Sequence, residues 1–501
     1  MSVAYLSIDV GSSLVKAALI AEDGRLLAIA RRPVSMSHGR GGNEHEADAR
    51  EWKSAAFAAV REIATGSAGV PDGPGAAPGV SAKEGPPRAI VVSGNGPTLV
   101  ALDEANEPVG PALSWLDRRA SAEAALVSHH ALMPIDASFY LPKALWFARK
   151  HPQADRIRRF LSCPEHLVSV LTGEAWTLLP SKGYLPYIWS PELIDAVGLD
   201  RDLFPPFIAP TEPVGRLLPS IAEELGLPPG IPAFAGFPDF LAGLVGAGIV
   251  EVGMAGDRGG TSEAINIAAA SPFPGRGLLS LPHAIEGLWN LSGGLSTAGK
   301  SLEWLASILG LGDAAGLVET AATAGPGAGG MVFIPYLAGE RAPLWDADRR
   351  GAFAGLSLST SRADMAHAAC EALCYSLRLP AELARDAGYG LRELRATGGT
   401  ARSPFLASLK ASILKLPVAI PEVGDCELVG DAAAAAVGLG DHADLASAAR
   451  SMSRIASRHD PDPDLEGLYD EGFGLWKEAL GALAHVDAHG ATLSFAKRND
   501  A

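Results

Sequence analysis

Short apolar runs broken by small polar turns open the chain. Residues 5–9 read as a strand, Gly11-Ser12-Ser13 as a turn and residues 14–20 as the returning strand. Glu22-Asp23-Gly24 then turns the chain into a third strand over 26–30, Asp-Gly between apolar runs being a strong hairpin signal. Residues 49–64 carry apolar positions at helical spacing and predict an amphipathic helix. The stretch 66–87 is rich in Gly, Pro and Ala without periodicity, as expected of a surface loop, and a strand resumes at 89–94. Helical patterns follow near 120–130, 142–150 and 154–172.

A second set of the same elements starts after residue 250. A buried strand at 231–237 breaks at Phe237-Pro238 and passes into a helix over 240–245. Residues 254–267 then hold another glycine turn, GGTS at 259–262, followed by a strand at 289–295 and a helix at 297–309. Residues 363–387 predict a long helix, 392–397 a strand, 402–415 a helix and 417–420 a strand, while the tail from 441 reads as helical and peripheral. Strands alternating with helices indicate an α/β protein, with a lobe boundary near 248–255.

Composition narrows the functional classes. A chain of 501 residues is long enough for two domains with separate cores. Its net charge of −16, with no local Lys/Arg cluster, excludes a nucleic-acid surface. An acidic protein still binds a polyphosphate through backbone N–H groups and a few basic side chains. Four cysteines are too few for a disulfide framework and read as buried small hydrophobes. The N-terminus has no basic segment followed by an apolar core, and the apolar run around Asp239 is too short and broken to span a bilayer. The expectation is a cytoplasmic protein with no membrane partner, whose acidic surface leaves room for a homodimer.

The chemistry centres on Asp239, the one charged residue in AFAGFPDFLAGLVGAGIV. It falls in the first turn of a helix, where unpaired N–H groups and the helix dipole favour a carboxylate. Two roles suit it, an N-cap or a general base. Asp239, Ala242, Gly246 and Gly248 recur at the same spacing as Asp431, Ala434, Gly438 and Gly440. Small residues at that spacing let a helix approach another backbone closely, and two copies half a chain apart suggest a duplicated lobe.

The turns suit a nucleotide. Asp9-Val10-Gly11-Ser12-Ser13-x-x-Lys16 places an acid able to hold Mg²⁺ through water, a glycine for close backbone approach, two hydroxyl donors and a cation in one hairpin. Gly260-Thr261-Ser262 repeats that turn, and paired hairpins in paired lobes would face each other across a cleft. Gly398-Gly399-Thr400-Ala401-Arg402-Ser403 offers a flat platform for a ring or sugar, or a plain strand-to-helix turn. GERAPLWD at 339–346 reads as an ordered functional loop.

Taken in order, DVGSS-x-x-K, LSWLDRR, GFPDFLAGLVGAG, GGTS, GERAPLWD and ATGGTARS resemble the FGGY family of carbohydrate kinases over residues 5–440. The resemblance implies an actin-like ATPase fold of two ribonuclease H-like α/β lobes with a cleft between them. It places an N-terminal lobe at 1–250, a nucleotide-binding lobe at 251–440 and a helical extension at 441–501 packed on the second lobe. It implies ATP-dependent phosphorylation of a hydroxyl on a small sugar or polyol, with Mg²⁺ held by Asp9 and Asp239 taking the proton. Gly11, Ser12, Ser13, Lys16, Gly260 and Thr261 would surround the phosphates, Gly299 and Glu303 would lie beside the nucleotide, and Gly399 and Ser403 against the adenosine. Trp115, Asp117 and Arg118 match the family's sugar-pocket segment, and Asn95 and Gly96 stand in its sugar-binding turn. That turn departs from the Gln-Met-His-Gly of xylulose kinases, reading Ser93-Gly94-Asn95-Gly96-Pro97, which argues against D-xylulose. The segment 177–189 is apolar where the family is aspartate-rich, and either walls the pocket or packs on its lobe. The alternatives are an actin-like ATPase or phosphohydrolase acting on water, and a non-catalytic sugar-sensing homologue.

Overall fold

The computed structural model describes residues 4–39, 42–68, 85–131 and 133–490. Most of the predicted loop at 66–87 lies outside them. The chain forms two compact units, one of residues 1–250, 282–287 and 425–454, the other of 251–281, 288–424 and 455–501.

Each unit is built on the same sheet. In the first, Ala4–Val10, Leu14–Ala21 and Leu26–Pro33 form an antiparallel meander, because Gly11 and Gly24 turn the chain between apolar runs. Ile90–Gly94 then joins parallel to the first strand, and Pro232–Pro238 parallel to that. The second unit repeats the pattern with Met254–Gly259, Glu263–Ala269 and Trp289–Leu295 antiparallel, then Glu393–Gly398 and Val418–Pro421 parallel. Numbering the five strands of each sheet as just named, both run third, second, first, fourth, fifth, each with an antiparallel strand beyond the fifth, Gly215–Arg216 or Ile455–His459, and the second sheet adds Leu279–Pro282 beyond its third. The shared order is the duplication that the repeated Asp-x-x-Ala pattern suggested.

Helices cover these sheets as their apolar periodicity requires. Ala49–Thr65 starts at Asp48, whose carboxylate accepts from Arg50 N–H, buries Trp52, Phe57, Val60 and Ile63, and ends on Gly66 at φ 73°. In the second unit the 25-residue Arg362–Asp386 is capped by Ser361 and buries Leu373, Tyr375 and Leu377.

Three boundaries differ from expectation. The segment 154–172 is not one helix, since Arg159–Ser162 is a strand and a Ser162/Glu165 capping box with Pro164 starts a new helix at Cys163. The second lobe does not run unbroken to 440, because the Cys426–Gly438 helix packs against Asp239–Gly246 in the first unit. The tail is not purely helical or confined to the second unit. Leu445–Met452 clusters with the first, Ile455–His459 completes the second unit's sheet, and Glu466–Gly490 lies in the second unit. All four cysteines are buried and free, and no single described helix is long and apolar enough to cross a membrane.

The helices that carry the two copies of the small-residue pattern meet, the first through Ala242 and Gly246, the second through Cys426 and Gly430 just before its copy. A Cβ on Gly246 would overlap the carbonyl of Cys426, and one on Gly430 the carbonyl of Ala242, so the helix backbones touch where no side chain fits. Gly430→Ala is therefore expected to cost about 1–3 kcal/mol by overpacking. Gly243→Ala, facing open space on the same helix as Gly246, should gain about 0.5–1 kcal/mol. Urea unfolding of the two variants reads both signs, and equal effects would refute the close-contact account.

Candidate active site

In the first unit the site grows from strand ends. Asp9 pairs in register with Lys16 across the hairpin and with Ser93 on the parallel strand. It is 2% exposed. Ser93 Oγ donates to its Oδ1 at 3.2 Å, and Lys16 Nζ lies 3.5 Å from its Oδ2. The Lys16 ammonium is 2.9 Å from Asp425 Oδ1 and closer still to Glu427. Burial opposes its charge, yet Glu427, Asp9 and Asp425 together hold it protonated far above the usual range. This corrects the expectation of a lysine available to phosphate, because three carboxylates already share that charge.

The turn above is shaped by its glycine. Gly11 N–H donates to Leu14 O at 2.9 Å, and a Cβ at Gly11 would press on that same oxygen. Ser13 is exposed, whereas Ser12 is half-buried and its Oγ accepts from Trp115 Nε1 at 3.0 Å. The hairpin and the Trp115 segment are thus brought together.

Two residues expected at the acceptor are internal braces instead. Asn95 donates from Nδ2 to Val10 O at 2.8 Å and accepts from Thr98 Oγ1. Asp117 is fully buried and accepts from the N–H groups of His45 and Arg119 and from the Arg119 guanidinium. Their polar atoms are consumed by the fold. Arg118 donates to Trp115 O at 2.8 Å and lies 3.4 Å from Asp136, its side chain 40% exposed.

Asp239 is the first residue of its helix, half-buried, and its Oδ1 accepts from Phe240 N–H at 2.8 Å. The N-cap position belongs to Pro238. A Cβ on Gly96 would sit 3.1 Å from Tyr140 Oη and 3.2 Å from Pro238 Cβ, so the Asn95-Gly96 turn, Tyr140 and the Pro238-Asp239 corner converge. Burial, then nearby charges including Asp239, pushes Tyr140 up. Burial, then the charges of Asp9 and Asp239, pushes the Cys163 thiol well up.

Sequence reasoning missed Tyr140 and Lys143, both on the Tyr140–Lys150 helix. Lys143 is fully buried and donates to Pro97 O and Ser114 O, each at 2.7 Å, tying the two acceptor-side segments together. Burial drives its pKa well below the usual lysine range. The signal was present as a lone lysine in the apolar run YLPKALWFA. Of the open segment 177–189, Tyr184, Ile188 and Trp189 pack inside, Trp189 against Tyr140 and Phe204. Tyr187 is half-buried against Phe139.

In the second unit three segments interlock through backbone. Gly260 N–H donates to Ser262 O at 2.9 Å, Gly299 N–H to Gly260 O at 2.9 Å, Lys300 N–H to Thr261 O at 3.4 Å and Gly399 N–H to Gly259 O at 2.7 Å. Gly260, Thr261, Gly299 and Gly399 therefore gather at one place. Glu303 is exposed on the Ala298–Leu309 helix, and Ser403 is spent as the N-cap of Pro404–Leu414, accepting from Leu406 N–H. Glu340 of GERAPLWD is buried and accepts from Ser296 N–H and Oγ and from Arg341 N–H, which orders that loop. Among the described residues no group of three or more His, Cys, Asp or Glu is placed to hold a metal.

The chain is similar to known proteins over both parts of its length. Residues 4–246 match the N-terminal domain, and 258–439 the C-terminal domain, of the FGGY family of carbohydrate kinases. A xylulose kinase from Staphylococcus epidermidis is 27% identical over 94% of this chain and 95% of its own. A gluconokinase from Bacillus subtilis is 26% identical over 66% and 71%. The crystal structure of a xylulose kinase from Rhodospirillum rubrum superposes with TM-score 0.81 over 96% of this chain and 99% of its own at 24% identity.

Asp431, facing Gly236 and Ser93, is fully buried, and burial, then the charges of Asp9 and Glu427, pushes its pKa well up. A carboxyl whose folded pKa is raised loses stability as pH climbs above its unfolded value of about 3.9. Asp431→Asn is expected to melt with wild type at pH 4 and above it at pH 8. Identical pH profiles in scanning calorimetry would refute a neutral Asp431.

Proposed function

This chain belongs to the FGGY family of carbohydrate kinases, and from that premise we propose how it works, with Asp239 taking the proton of the acceptor hydroxyl. The reaction is ATP-dependent phosphorylation of a sugar, on a chain with the actin-like ATPase fold. Phosphoryl transfer asks a protein for in-line positioning, charge neutralisation and removal of one proton. The observation that carries the reading is the convergence of the Asp239 corner with Tyr140 and with Gly96, on the turn that follows the strand paired in register with Asp9.

Division of labour follows from which atoms the fold leaves over. Ser12 and Ser13 on one hairpin and Thr261 on the other offer hydroxyls to the nucleotide, while Gly11, Gly260, Gly299 and Gly399, whose N–H groups bond within the fold, let it approach the backbone closely. Asp9 would hold Mg²⁺ that arrives with ATP, supplying charge neutralisation. Mg²⁺ on substrate phosphates needs only one or two protein carboxylates and keeps several waters, so a single strand-end acid fits it. Trp115 and Arg118 frame the acceptor, while Asn95 and Asp117 hold that frame in place. Lys16 keeps Asp9 and the hairpin in register rather than meeting phosphate.

The acceptor class we propose is a small ketose, polyol or sugar acid. Relatives named for xylulose and gluconate support that range. The absence of the Met-His pair from the 93–97 turn weighs against D-xylulose itself. A cytoplasmic location, where ATP is plentiful, belongs to the same proposal.

Asp239→Asn is expected to lower kcat about 10²- to 10⁴-fold, the usual contribution of a general base. Binding of MgATP by titration calorimetry should stay within about twofold, since only the proton acceptor is removed. A coupled ADP-release assay over ketoses, polyols and sugar acids supplies the substrate, and wild-type turnover by the variant would overturn the assignment.

A further inference from the structure

Beneath the second unit's glycine turns lies an ion cluster that the functional reading does not use. Lys410, on the Pro404–Leu414 helix, is 1% exposed. Its ammonium contacts Asp257, lies 2.5 Å from Glu263 Oε1 and donates to Thr400 Oγ1 at 3.0 Å. Thr400 Oγ1 donates in turn to Glu263 Oε1 at 2.9 Å. Asp257 and Glu263 are each about 2% exposed.

The three partners of Lys410 come from the segments that form the two turns. Asp257 stands two residues before Gly259 on the strand entering the GGTS turn, and Glu263 is the first residue leaving it. Thr400 follows Gly398-Gly399, and Thr397 Oγ1 donates to Asp257 O at 3.1 Å. One ammonium thus holds both sides of one turn and the far side of the other. The two turns touch directly, Gly399 N–H donating to Gly259 O, and a Cβ on Gly398 would overlap that carbonyl. A shift of either turn therefore has to break a buried charge contact.

The charges balance with one proton. Two carboxyls face one ammonium, and neither Asp257 Oδ1 nor Glu263 Oε2 meets a conventional donor. A proton held between the two carboxyls satisfies both atoms and leaves the cluster neutral, as expected where like charges cannot both be buried. Burial first, then Glu263, pushes Asp257 up, in agreement.

We infer that Lys410 is a positioning residue for the nucleotide, fixing the Gly259–Ser262 and Gly398-Gly399 turns through Asp257, Glu263 and Thr400. The inference rests on the reading that those turns receive the nucleotide, and the test separates the two. Binding of MgADP to the full chain is measured by titration calorimetry, with Tm recorded alongside. Gly260→Val tests the turn itself, because a Cβ there meets nothing nearer than Ser262 O at 3.7 Å and the chain should still fold.

Both Gly260→Val and Lys410→Met should weaken MgADP about tenfold or more, the scale of a misplaced binding group. Asp257→Asn keeps the shape and a neutral donor and should stay within twofold. If Gly260→Val weakens binding while Lys410→Met only lowers Tm, the cluster is merely structural and the inference falls. If Gly260→Val also binds normally, the nucleotide reading of the turn falls first, and the inference with it. Should Lys410→Met fail to fold, the charge-balanced pair Lys410→Met with Glu263→Gln replaces it. Weakened MgADP binding by that protein supports the positioning role, and normal binding overturns it.

Discussion

Each of the two candidate nucleotide hairpins, at Gly11 and Gly260, stands on a buried lysine, and the geometry of both turns depends on that arrangement. Lys16 is held by Asp9, Asp425 and Glu427, and Lys410 by Asp257 and Glu263. Buried ion clusters add little net stability over an apolar core, but removing one partner costs about 3–5 kcal/mol. Their effect is on precision, since a turn tied to such a cluster cannot slide without stranding a charge. The two units reach this by opposite means. In the first, the lysine is on the returning strand and two acids come from the segment 425–427. In the second, the acids flank the turn and the lysine comes from a helix. Duplication kept the sheet order and the charge balance while the residues changed places.

Asp239 is fixed by contact rather than by charge. Its helix is docked where Ala242 and Gly246 meet Gly430 and Cys426 with no side chain between the backbones. The partner helix is the one that brings Glu427 to Lys16 and Asp431 to Ser93. A single helix therefore sets the position of Asp239, completes the first cluster and buries Asp431, whose pKa burial and then the charges of Asp9 and Glu427 push up. The helices that carry the repeated pattern meet within one unit, with Ala242 and Gly246 of the first copy against Cys426 and Gly430.

Local chemistry was legible in the sequence and distant partners were not. The hairpins at Gly11 and Gly260, the Asp239 helix and most strands and helices stand where periodicity placed them, because turn residues and apolar spacing act within a few positions. Lys16 read as a phosphate ligand because two of its three carboxylates, Asp425 and Glu427, lie more than 400 residues away, and no local pattern announces them. Asn95 and Asp117 read as acceptor contacts because they sit in segments that carry such contacts in the family. Only coordinates show that Val10 O, Thr98, His45 N–H and Arg119 already occupy them. Lys143 and Lys410 were passed over as ordinary helix lysines, although each stands among apolar neighbours, which is where a buried lysine would be found.

The altered turn at 93–97 changes what can select the acceptor. At residue 96 even a methyl group would come within 3.1 Å of Tyr140 Oη and 3.2 Å of Pro238, so a bulky side chain such as histidine has no room in this arrangement. Glycine at 96 and tyrosine at 140 thus belong together, the hydroxyl reaching from the helix toward a turn that carries no side chain there. Lys143, one helical turn on, fixes the same pair of segments by their carbonyls, so Tyr140 and the turn keep their separation. A phenol donates and accepts at neutral pH without taking on charge, especially one whose ionisation burial has suppressed, so the group packed against this turn is neutral where an imidazole could carry charge.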